Sequence, residues 1–580
     1  MKNAKRKTNK GARPRGKNAF ADSVVNVFAK APSRALNHKQ VAAALGLKDR
    51  ASKDLVNIIL VELIEDGTLD EIRRGKFKLS AAFVKESPAL KKYITGKVDM
   101  KGTGKAYIIN DEGGEDIYIA PNNTSRALNG DRVKVLLFPQ RKDRKPEGQV
   151  IEIIERAKEQ YVGIIDVSKH FAYLVADNTS MPVDILIPKE GINNAVSGQK
   201  VIVKITDWPE HSKNPVGTVV QVLGTPGDND VEMKSILAEF DFPWVFPEKV
   251  EQEAAKIERG ITDDEVKKRR DFRDVFTITI DPPDAKDFDD ALSLKKLPNG
   301  NFEVGVHIAD VSFYVKEGGL IDKEAFDRGT SVYLVDRTIP MLPEKLSNDL
   351  CSLVAHTDKL CYAAVFELND GAEIQQQWIG RTVINSNRRF NYEEVQQIIE
   401  TEQGEFSEEI LILHRLATKL REERFRKGSI NFESNEVKFV LDEKGKPLGV
   451  YIKEQKESNR LIEDFMLLAN QKVAELIGKA KAGQKAKTFV YRIHDTPSQE
   501  KLATFSQFLS KLGYKLNIEN RKGLASSFNN LFKQIEGKGE QTMIETIAIR
   551  TMAKAVYSTV NIVHYGLGFK FYTHFTSPIR

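Results

Sequence analysis

The chain has 580 residues, of which 41% are hydrophobic and 29% charged, with a formal net charge of +6. A chain of this length can bury several cores, so we expect roughly three or four domains. No apolar run approaches the roughly 20 residues that span a bilayer, and the basic N-terminus lacks the apolar segment of a secretory signal. The two cysteines, Cys351 and Cys361, lack metal-knuckle spacing, which predicts a reducing, cytoplasmic location without disulfides.

The first residues form a basic arm on a nearly neutral body. Residues 1–17 contain eight Lys or Arg and no acid, and subtracting these from the total of +6 leaves −2 for the remainder. With almost nothing apolar to bury, residues 1–20 are predicted to be a disordered tail. Such arms hold nucleic acid through phosphate contacts; a solubilising tail is the alternative.

Residues 21–85 have the pattern of a winged-helix domain. Apolar residues at helical spacing predict helices around 24–28, 41–47 and 55–64. The alternation in TLDEIRRGKFKLS, with a basic turn, predicts a β-ribbon. Helices followed by a basic wing form a common nucleic-acid module, although such units also bind proteins.

An internal repeat follows over residues 90–157 and 158–226. GKVDMKGTGKAYII and VGIIDVSKHFAYLV place their first glycines at Gly96 and Gly163, and later segments repeat at nearly the same offset. Short strands separated by glycine turns predict two OB-type barrels. Four aromatic residues stand where such barrels stack single-stranded bases, although each could instead belong to the core: Tyr107, Tyr118, Phe171 and Tyr173.

The remainder, residues 227–580, is predicted to be one large α/β domain. It opens with a polar linker, GTPGDNDVEM, and a charged helix is predicted around 248–270. Amphipathic helices are predicted at 407–426, 459–479 and 540–557. Strand-like runs separate these helices, which favours a mixed α/β architecture.

The stretch ITIDPPDAKDFDDALS, residues 278–293, carries the densest group of acids. A β-branched run that meets Asp-Pro-Pro predicts a strand ending in a proline-fixed loop. Its five carboxylates repel one another unless cations neutralise them: Asp281, Asp284, Asp287, Asp289 and Asp290. Such oxygen ligands suit Mg²⁺. A solvated acidic loop is the alternative, and an EF-hand calcium site is disfavoured because its glycine and distal glutamate are missing.

Four of these aspartates match the four-aspartate motif of the ribonuclease II/ribonuclease R (RNB) exoribonuclease family: Asp281, Asp287, Asp289 and Asp290. Longer segments also resemble the family, namely VHIADVSFYV (306–315), TSVYLVDRTIPMLPEKLSNDLCSL (330–353), LIEDFMLLAN (461–470) and YTHFTSPIR (572–580). The domain order resembles the bacterial ribonuclease R branch. The resemblance implies a multidomain fold, with a winged helix, two cold-shock-type OB barrels and a large α/β RNB catalytic domain.

The resemblance also implies roles for individual residues. The four aspartates would bind metal, and Asp289 would also orient the attacking water, while Arg580 would stabilise charge on the scissile phosphate. Tyr333 and Phe432 would clamp the terminal bases, and Glu463 and Tyr392 would contact the ribose 2′-hydroxyl. Asp284 has no matching role. The histidines lack metal-binding spacing, and we interpret His307 and His574 as structural.

One departure from the family pattern concerns the C-terminus. The family motif continues beyond this arginine, usually into a further OB-type domain, whereas this chain stops at Arg580. We therefore expect an RNB domain that is C-terminally incomplete.

The residues and the family resemblance together imply a cytoplasmic, monomeric and processive 3′-to-5′ exoribonuclease without membrane contact. It would use Mg²⁺, as two ions, to degrade single-stranded 3′ ends and structured RNA to 5′-mononucleotides. One alternative is a catalytically impaired RNA-binding protein. The other is a metal-dependent phosphodiesterase that acts on DNA or small nucleotides.

Overall fold

A computed structural model gives the fold of the chain. It describes residues 15–29, 35–47, 49–80, 93–138, 145–209, 211–258, 260–431, 436–443, 445–479, 486–517 and 521–576. The chain divides into two compact units, Met1–Phe242 and Pro243–Arg580. Among the described residues, no helix combines the length and the apolar character needed to cross a membrane.

The first unit begins with helices and an antiparallel ribbon. The helices are Arg15–Ala29, His38–Ala44 and Arg50–Glu65, and the ribbon pairs Leu69–Arg73 with Lys76–Leu79. This is the element order predicted for residues 21–85, and the winged-helix assignment stays a prediction.

The first helix corrects the extent of the basic tail. Its backbone is helical from Arg15, inside the segment 1–20 that was predicted to be disordered. Phe20 packs against the core that contains Val24 and Phe28, so apolar contact extends the helix toward the N-terminus.

Each predicted OB-type unit is a closed barrel. The first barrel contains the strands Tyr93–Met100, Ala106–Asn110, Ile117–Ile119, Arg132–Leu137 and Glu147–Glu155. The second contains the strands Gln160–Val167, Phe171–Ala176, Ile185–Pro188, Lys200–Asp207 and Val216–Gly224. Short 3₁₀ turns, Pro121–Asn123 and Lys189–Gly191, occupy equivalent places.

The repeated glycines mark a close approach of neighbouring strands. A Cβ atom on Gly96 would lie 2.3 Å from the carbonyl oxygen of Ile109, and one on Gly163 would lie 2.1 Å from that of Val175. Only glycine permits this spacing, which explains why both copies of the repeat keep it.

The four predicted stacking residues lie outside the barrel cores. Tyr107 pairs across the strands with Tyr118, at 5.8 Å between ring centroids, whereas the adjacent Ile108 is buried. In the second barrel, Phe171 and Tyr173 lie 5.4 Å apart. The alternation of a strand therefore turns these rings away from the core, and their stacking role stays a prediction.

The helix Asn229–Glu239 corrects the predicted boundary at residue 227, because it belongs to the first unit. Lys200, on a barrel strand, bonds Glu232 of the helix at 2.5 Å. Lys158 pairs with Glu239 at the other end of the helix. These ion pairs and the buried Leu237 attach the helix to the second barrel, so the division between units falls after Phe242.

A mixed sheet forms the centre of the second unit. In spatial order its strands are Arg270–Phe272, Ile374–Asn385, Asp358–Leu368, Phe302–Ala309, Asp290–Lys296, Thr277–Asp281 and Arg388–Asn391. The first pair and the last pair of neighbours are parallel, and the others are antiparallel. Short ribbons lie outside this sheet: Val332–Tyr333 with Thr338–Ile339, Glu436–Leu441 with Pro447–Lys453, and Tyr491–Ile493 with Val556–Ser558.

Helices cover both faces of the sheet. One face packs against helices Tyr392–Thr401, Ser407–Arg426 and Glu457–Gly478 through residues such as Phe390 and Phe465. The other face packs against Glu248–Lys256, Leu320–Arg328 and the π-helical turn Lys345–Leu350. A separate core joins helices Gln499–Lys511, Arg521–Ile535 and Gln541–Thr551, and short helices occur at Asp263–Lys267 and Val311–Tyr314.

Some predicted helices are shorter than expected. The charged segment 248–270 is divided into Glu248–Lys256 and Asp263–Lys267, because Gly260 interrupts it and Thr262 caps the second helix. The helix predicted at 540–557 ends at Thr551, and the chain beyond it becomes a strand.

Candidate active site

The predicted acidic loop joins neighbouring strands of the central sheet. Thr277–Asp281 is followed by Pro282 and Pro283, which lack the backbone N–H that would continue the ladder. The chain returns at Asp290 as the next strand, antiparallel to the first. Asp281 and Asp290 therefore lie at the same edge of the sheet, and Asp287 and Asp289 lie in the loop between them.

A parallel strand places Tyr392 at the same edge. The strand Arg388–Asn391 runs beside Thr277–Asp281 with Asn391 opposite Asp281. Both strands therefore end at the same edge of the sheet. Asn391 then begins a helix through a capping box with Glu394. The sequence motif RRFNYEEV thus brings Tyr392 to the acidic loop.

Hydrogen bonds from distant segments fix the backbone of the loop. The hydroxyl of Ser352 donates to the carbonyl oxygen of Lys286 at 2.8 Å and accepts from the amide of Phe288 at 3.0 Å. The guanidinium of Arg389 donates to the carbonyl oxygen of Pro283 at 3.0 Å. The amide of Ala309 donates to the carbonyl oxygen of Asp289 at 3.1 Å. The loop is therefore held on both sides of Asp287.

Burial and mutual repulsion make it unfavourable for several carboxylates of the site to be ionised at the same time. Burial, and next the charge on Asp290, raise the pKa of Asp281 to about 7, and Asp287 adds to the effect. Burial raises the pKa of Asp290 to about 6. Burial and the charges on Asp290 and Asp281 also raise the pKa of Tyr392. At neutral pH the carboxyl of Asp281 is therefore only partly ionised, and a cation would stabilise the ionised forms of both carboxylates.

The chemistry of the donors fits a divalent metal ion. Asp281 has a buried carboxylate oxygen, Oδ2, that forms no well-aligned hydrogen bond within the described chain, although the Thr279 hydroxyl lies close enough to lower the pKa of the residue. Carboxylate oxygens are the ligands that Mg²⁺ prefers. In the described residues, no group of three or more His, Cys, Asp or Glu side chains converges closely enough to hold a metal as placed. The structure therefore supplies ligands of the right kind without a completed coordination sphere.

Tyr333 contacts the acidic loop directly. Its hydroxyl donates to Oδ2 of Asp287 at 3.1 Å, while 66% of the residue is exposed. The predicted clamp residue thus lies at the edge of the predicted metal site. Phe432 and Arg580, two further predicted site residues, lie outside the described residues.

Glu463 lines a cavity of about 500 Å³. It lies on the helix Glu457–Gly478, and its carboxylate is 3.9 Å from the guanidinium of Arg424. The lining includes three arginines, each paired with an acidic side chain, and two histidines: Arg421, Arg424, Arg460, His494 and His564. The cavity therefore combines guanidinium donors with the carboxylate of Glu463, which can accept hydrogen bonds.

The two histidines that were interpreted as structural, His307 and His574, both form hydrogen bonds with neighbouring side chains. His307 is fully buried between Ser293 and Thr382, at 2.9 and 3.0 Å from their hydroxyls. Burial, and next the charge on Arg270, lower the pKa of His307 to about 3. Nδ1 of His574 and the hydroxyl of Tyr557 share a hydrogen bond at 2.7 Å, which fixes the imidazole ring.

Sequence reasoning missed the residues that support the site. Ser352 and Arg389 fix the loop, and Arg421 and Arg424 line the cavity beside Glu463. Ser352 lies in the long motif at 330–353, and Arg389 lies in RRFNYEEV, so their presence in family motifs was the available signal. The pairing itself depends on folding, since Ser352 lies 64 residues beyond Phe288 in the chain.

Three family models match the chain. They are the RNB domain over residues 269–580, a cold shock domain over 173–247, and a ribonuclease B OB domain over 96–153. Ribonuclease R of Thermotoga maritima is 35% identical over 93% of this chain and 75% of that protein.

Solved structures agree with these matches. Mycoplasma genitalium RNase R in complex with ribose-methylated single-stranded RNA has a TM-score of 0.78 and 27% identity, covering 84% of this chain and 77% of that one. The same enzyme in complex with double-stranded RNA has a TM-score of 0.70 and 28% identity, covering 79% and 78%. OB-type barrels before an RNB domain with an acidic strand-end loop define an exoribonuclease, a hydrolase of RNA. The chain belongs to the RNB family of exoribonucleases, in which it is a homologue of bacterial ribonuclease R.

These matches confirm the predicted OB-type barrels and RNB domain. They do not favour the alternative of a catalytically impaired RNA-binding protein. RNB-family nucleases generally depend on divalent metal ions, which agrees with the chemistry of the acidic loop.

Proposed function

We propose that this chain degrades RNA processively from the 3′ end and releases 5′-mononucleotides. The supporting observation is the acidic loop, where the pKa values of Asp281 and Asp290 are raised and one buried carboxylate oxygen forms no well-aligned hydrogen bond among the described residues. Such a site gains stability from a cation and can then receive a phosphate. We infer that Mg²⁺, as two ions, binds there in a cytoplasmic monomer.

The aspartates of the loop have separate tasks in this proposal. Asp281, Asp287, Asp289 and Asp290 would hold the metal. When bound, Mg²⁺ neutralises the acids, acidifies a water molecule and spreads charge on the phosphate. Asp289 accepts a hydrogen bond from the attacking water and so aims it at the phosphorus. Arg580 would donate to the phosphate oxygens as negative charge develops.

The remaining site residues hold the end of the strand. The ring of Tyr333, at the edge of the acidic loop, stacks against a terminal base, with Phe432 as the second side of the clamp. The carboxylate of Glu463 and the hydroxyl of Tyr392 accept or donate hydrogen bonds to ribose 2′-hydroxyls. DNA lacks that group, so these contacts favour RNA.

The substrate class follows from the relatives. The Mycoplasma genitalium enzyme binds ribose-methylated single-stranded RNA and also double-stranded RNA. We propose the same range here, with single-stranded 3′ ends as entry points and structured RNA degraded from a 3′ overhang. The three arginines that line the cavity beside Glu463 support a path for a polyanion.

The test uses RNA and DNA oligomers of matched sequence, labelled at the 5′ or the 3′ end and incubated with Mg²⁺ or with a chelator. We expect a 5′-labelled RNA to be converted to a short limit product with few intermediates, a 3′-labelled RNA to release labelled mononucleotide at once, and DNA to resist. Loss of all cleavage in the chelator would support metal dependence. RNA binding without cleavage in Mg²⁺ would refute the proposal, and rapid cleavage of DNA would refute the ribose contacts.

A further inference from the structure

One segment, residues 331–353, contacts the acidic loop twice. At its C-terminal end, Ser352 bonds the backbone on both sides of Asp287. Near its N-terminal end, the hydroxyl of Tyr333 bonds the carboxylate of Asp287 itself. The same stretch of chain therefore fixes both the backbone and the side chain of one aspartate.

The hydrogen bond from Tyr333 is not enforced by burial. The residue is 66% exposed, so water could satisfy its hydroxyl without loss. Stacking on a base also needs only the ring, and phenylalanine would supply it equally well. Neither packing nor stacking explains the hydroxyl, whereas its contact with Asp287 does.

We propose that the Tyr333 hydroxyl is a positioning group that orients Asp287 for metal binding, in addition to the stacking role of the ring. The inference rests on the proposed function, which makes Asp287 a metal ligand. The hydroxyl occupies Oδ2 and holds the carboxylate in one rotamer, so Oδ1 is left for the cation. Groups that hydrogen-bond a metal ligand commonly set its orientation in this way.

A consequence is that the 3′-terminal base and the metal site share one side chain. A base that stacks on the Tyr333 ring fixes the ring, and the ring carries the hydroxyl that fixes Asp287. A correctly placed terminal nucleotide thereby stabilises the ligand that its cleavage requires. A strand that fails to reach the ring lacks this support.

The experiment measures Mn²⁺ binding to RNA-free protein by electron paramagnetic resonance. It compares wild type, Tyr333→Phe, and the control Tyr451→Phe, whose tyrosine is exposed on the strand Pro447–Lys453. Tyr333→Phe keeps the ring and should weaken Mn²⁺ binding by about 10- to 100-fold, the usual effect of losing such a partner. Tyr451→Phe should bind as the wild type does.

Kinetics supply a second readout that a merely structural role would not change. The Mg²⁺ concentration for half-maximal cleavage should rise by the same factor in Tyr333→Phe, whereas saturating Mg²⁺ should restore kcat. The length of the limit product should stay that of the wild type. In an Asp287→Asn background, adding Tyr333→Phe should cost no further Mn²⁺ affinity, because the two changes remove the same interaction.

The outcomes separate the inference from the proposed function. If wild type neither binds Mn²⁺ nor cleaves RNA, the metal site fails and the inference fails with it. If wild type does both and Tyr333→Phe binds Mn²⁺ equally well or more tightly, the hydroxyl does not position Asp287. Additive losses in the Asp287→Asn background would also overturn the inference.

Discussion

Replacing Asp281 by asparagine should stabilise the metal-free protein while it destroys the metal site. Burial, and next the charge on Asp290, raise the pKa of this carboxyl from 3.8 to about 7. Each pKa unit corresponds to about 1.36 kcal/mol, so ionised Asp281 costs the fold about 4 kcal/mol. A neutral amide avoids that cost but is itself desolvated, at roughly 1–3 kcal/mol. We therefore expect a net gain of about 2 kcal/mol at about pH 8.

The sign of the pH dependence follows from the raised pKa. The unfolded carboxyl ionises above its ordinary pKa, whereas the folded one resists ionisation up to about pH 7. The penalty is therefore complete above about pH 7 and disappears as the pH falls toward 3.8. At about pH 5 it has shrunk to about 2 kcal/mol, so the advantage of Asp281→Asn should vanish.

Magnesium should make the wild type more stable than Asp281→Asn, the reverse of the order expected without metal. A ligand at a thousandfold above its Kd stabilises a protein by about 4 kcal/mol, and only the wild type has the intact site. Urea unfolding with a chelator, and then with saturating Mg²⁺, measures both effects. Asp284→Asn is the matched control, because it removes an exposed carboxylate from the same loop and should change neither curve.

Two results would refute this reasoning. If Asp281→Asn is no more stable than wild type in the chelator at about pH 8, ionisation of Asp281 does not destabilise the fold. If the variant keeps its full stability advantage over wild type at about pH 5, the gain comes from packing and not from the loss of an ionised group.

Further predictions concern the chemistry and the grip on RNA. Asp289→Asn should abolish cleavage and leave RNA binding intact or tighter, because a negative charge near a polyanion is removed; near-normal turnover on a single-stranded oligomer would contradict it. Glu463→Ala should reduce discrimination against DNA by roughly ten- to a hundredfold, the worth of about 1.5–3 kcal/mol for a hydrogen bond to a charged group, and an unchanged ratio in matched assays would make Glu463 structural. Tyr333→Ala at saturating Mg²⁺ should lengthen the limit product by about a nucleotide or two, since stacking contributes about 1–3 kcal/mol, and Arg580→Ala should slow each step without moving the end point. One gel of limit digests tests both, and identical terminal fragments for Tyr333→Ala and wild type would reject the clamp.

Local patterns in the sequence predicted the framework of the site. The β-branched run before Asp-Pro-Pro predicted the strand that ends at Asp281, and that strand is Thr277–Asp281. The helix predicted at 407–426 is Ser407–Arg426. Both signals depend on neighbours in sequence, namely proline geometry and helical periodicity, so they remain readable without the fold.

Interactions between distant residues could not be predicted in this way. Whether Asn229–Glu239 packs on the second barrel depends on ion pairs with Lys200 and Lys158, which no local pattern reveals. The same holds for Ser352 and the acidic loop, and for Tyr333 and Asp287. Residues whose partners lie far away in the chain must be read from the structure.

The different anchoring of the two halves of the site has a consequence for amide hydrogen exchange. Asp281 ends a strand that has hydrogen-bonded neighbours on both sides in the central sheet. Tyr333 instead lies on the ribbon Val332–Tyr333 with Thr338–Ile339, which joins no further strand in the described part of the chain. Amides of Thr277–Asp281 should therefore exchange only when the whole unit opens, whereas those around Tyr333 should exchange through local opening. The carboxylates thus lie on the rigid side of the site, and the proposed clamp residue Tyr333 lies on the side that we expect to move more easily.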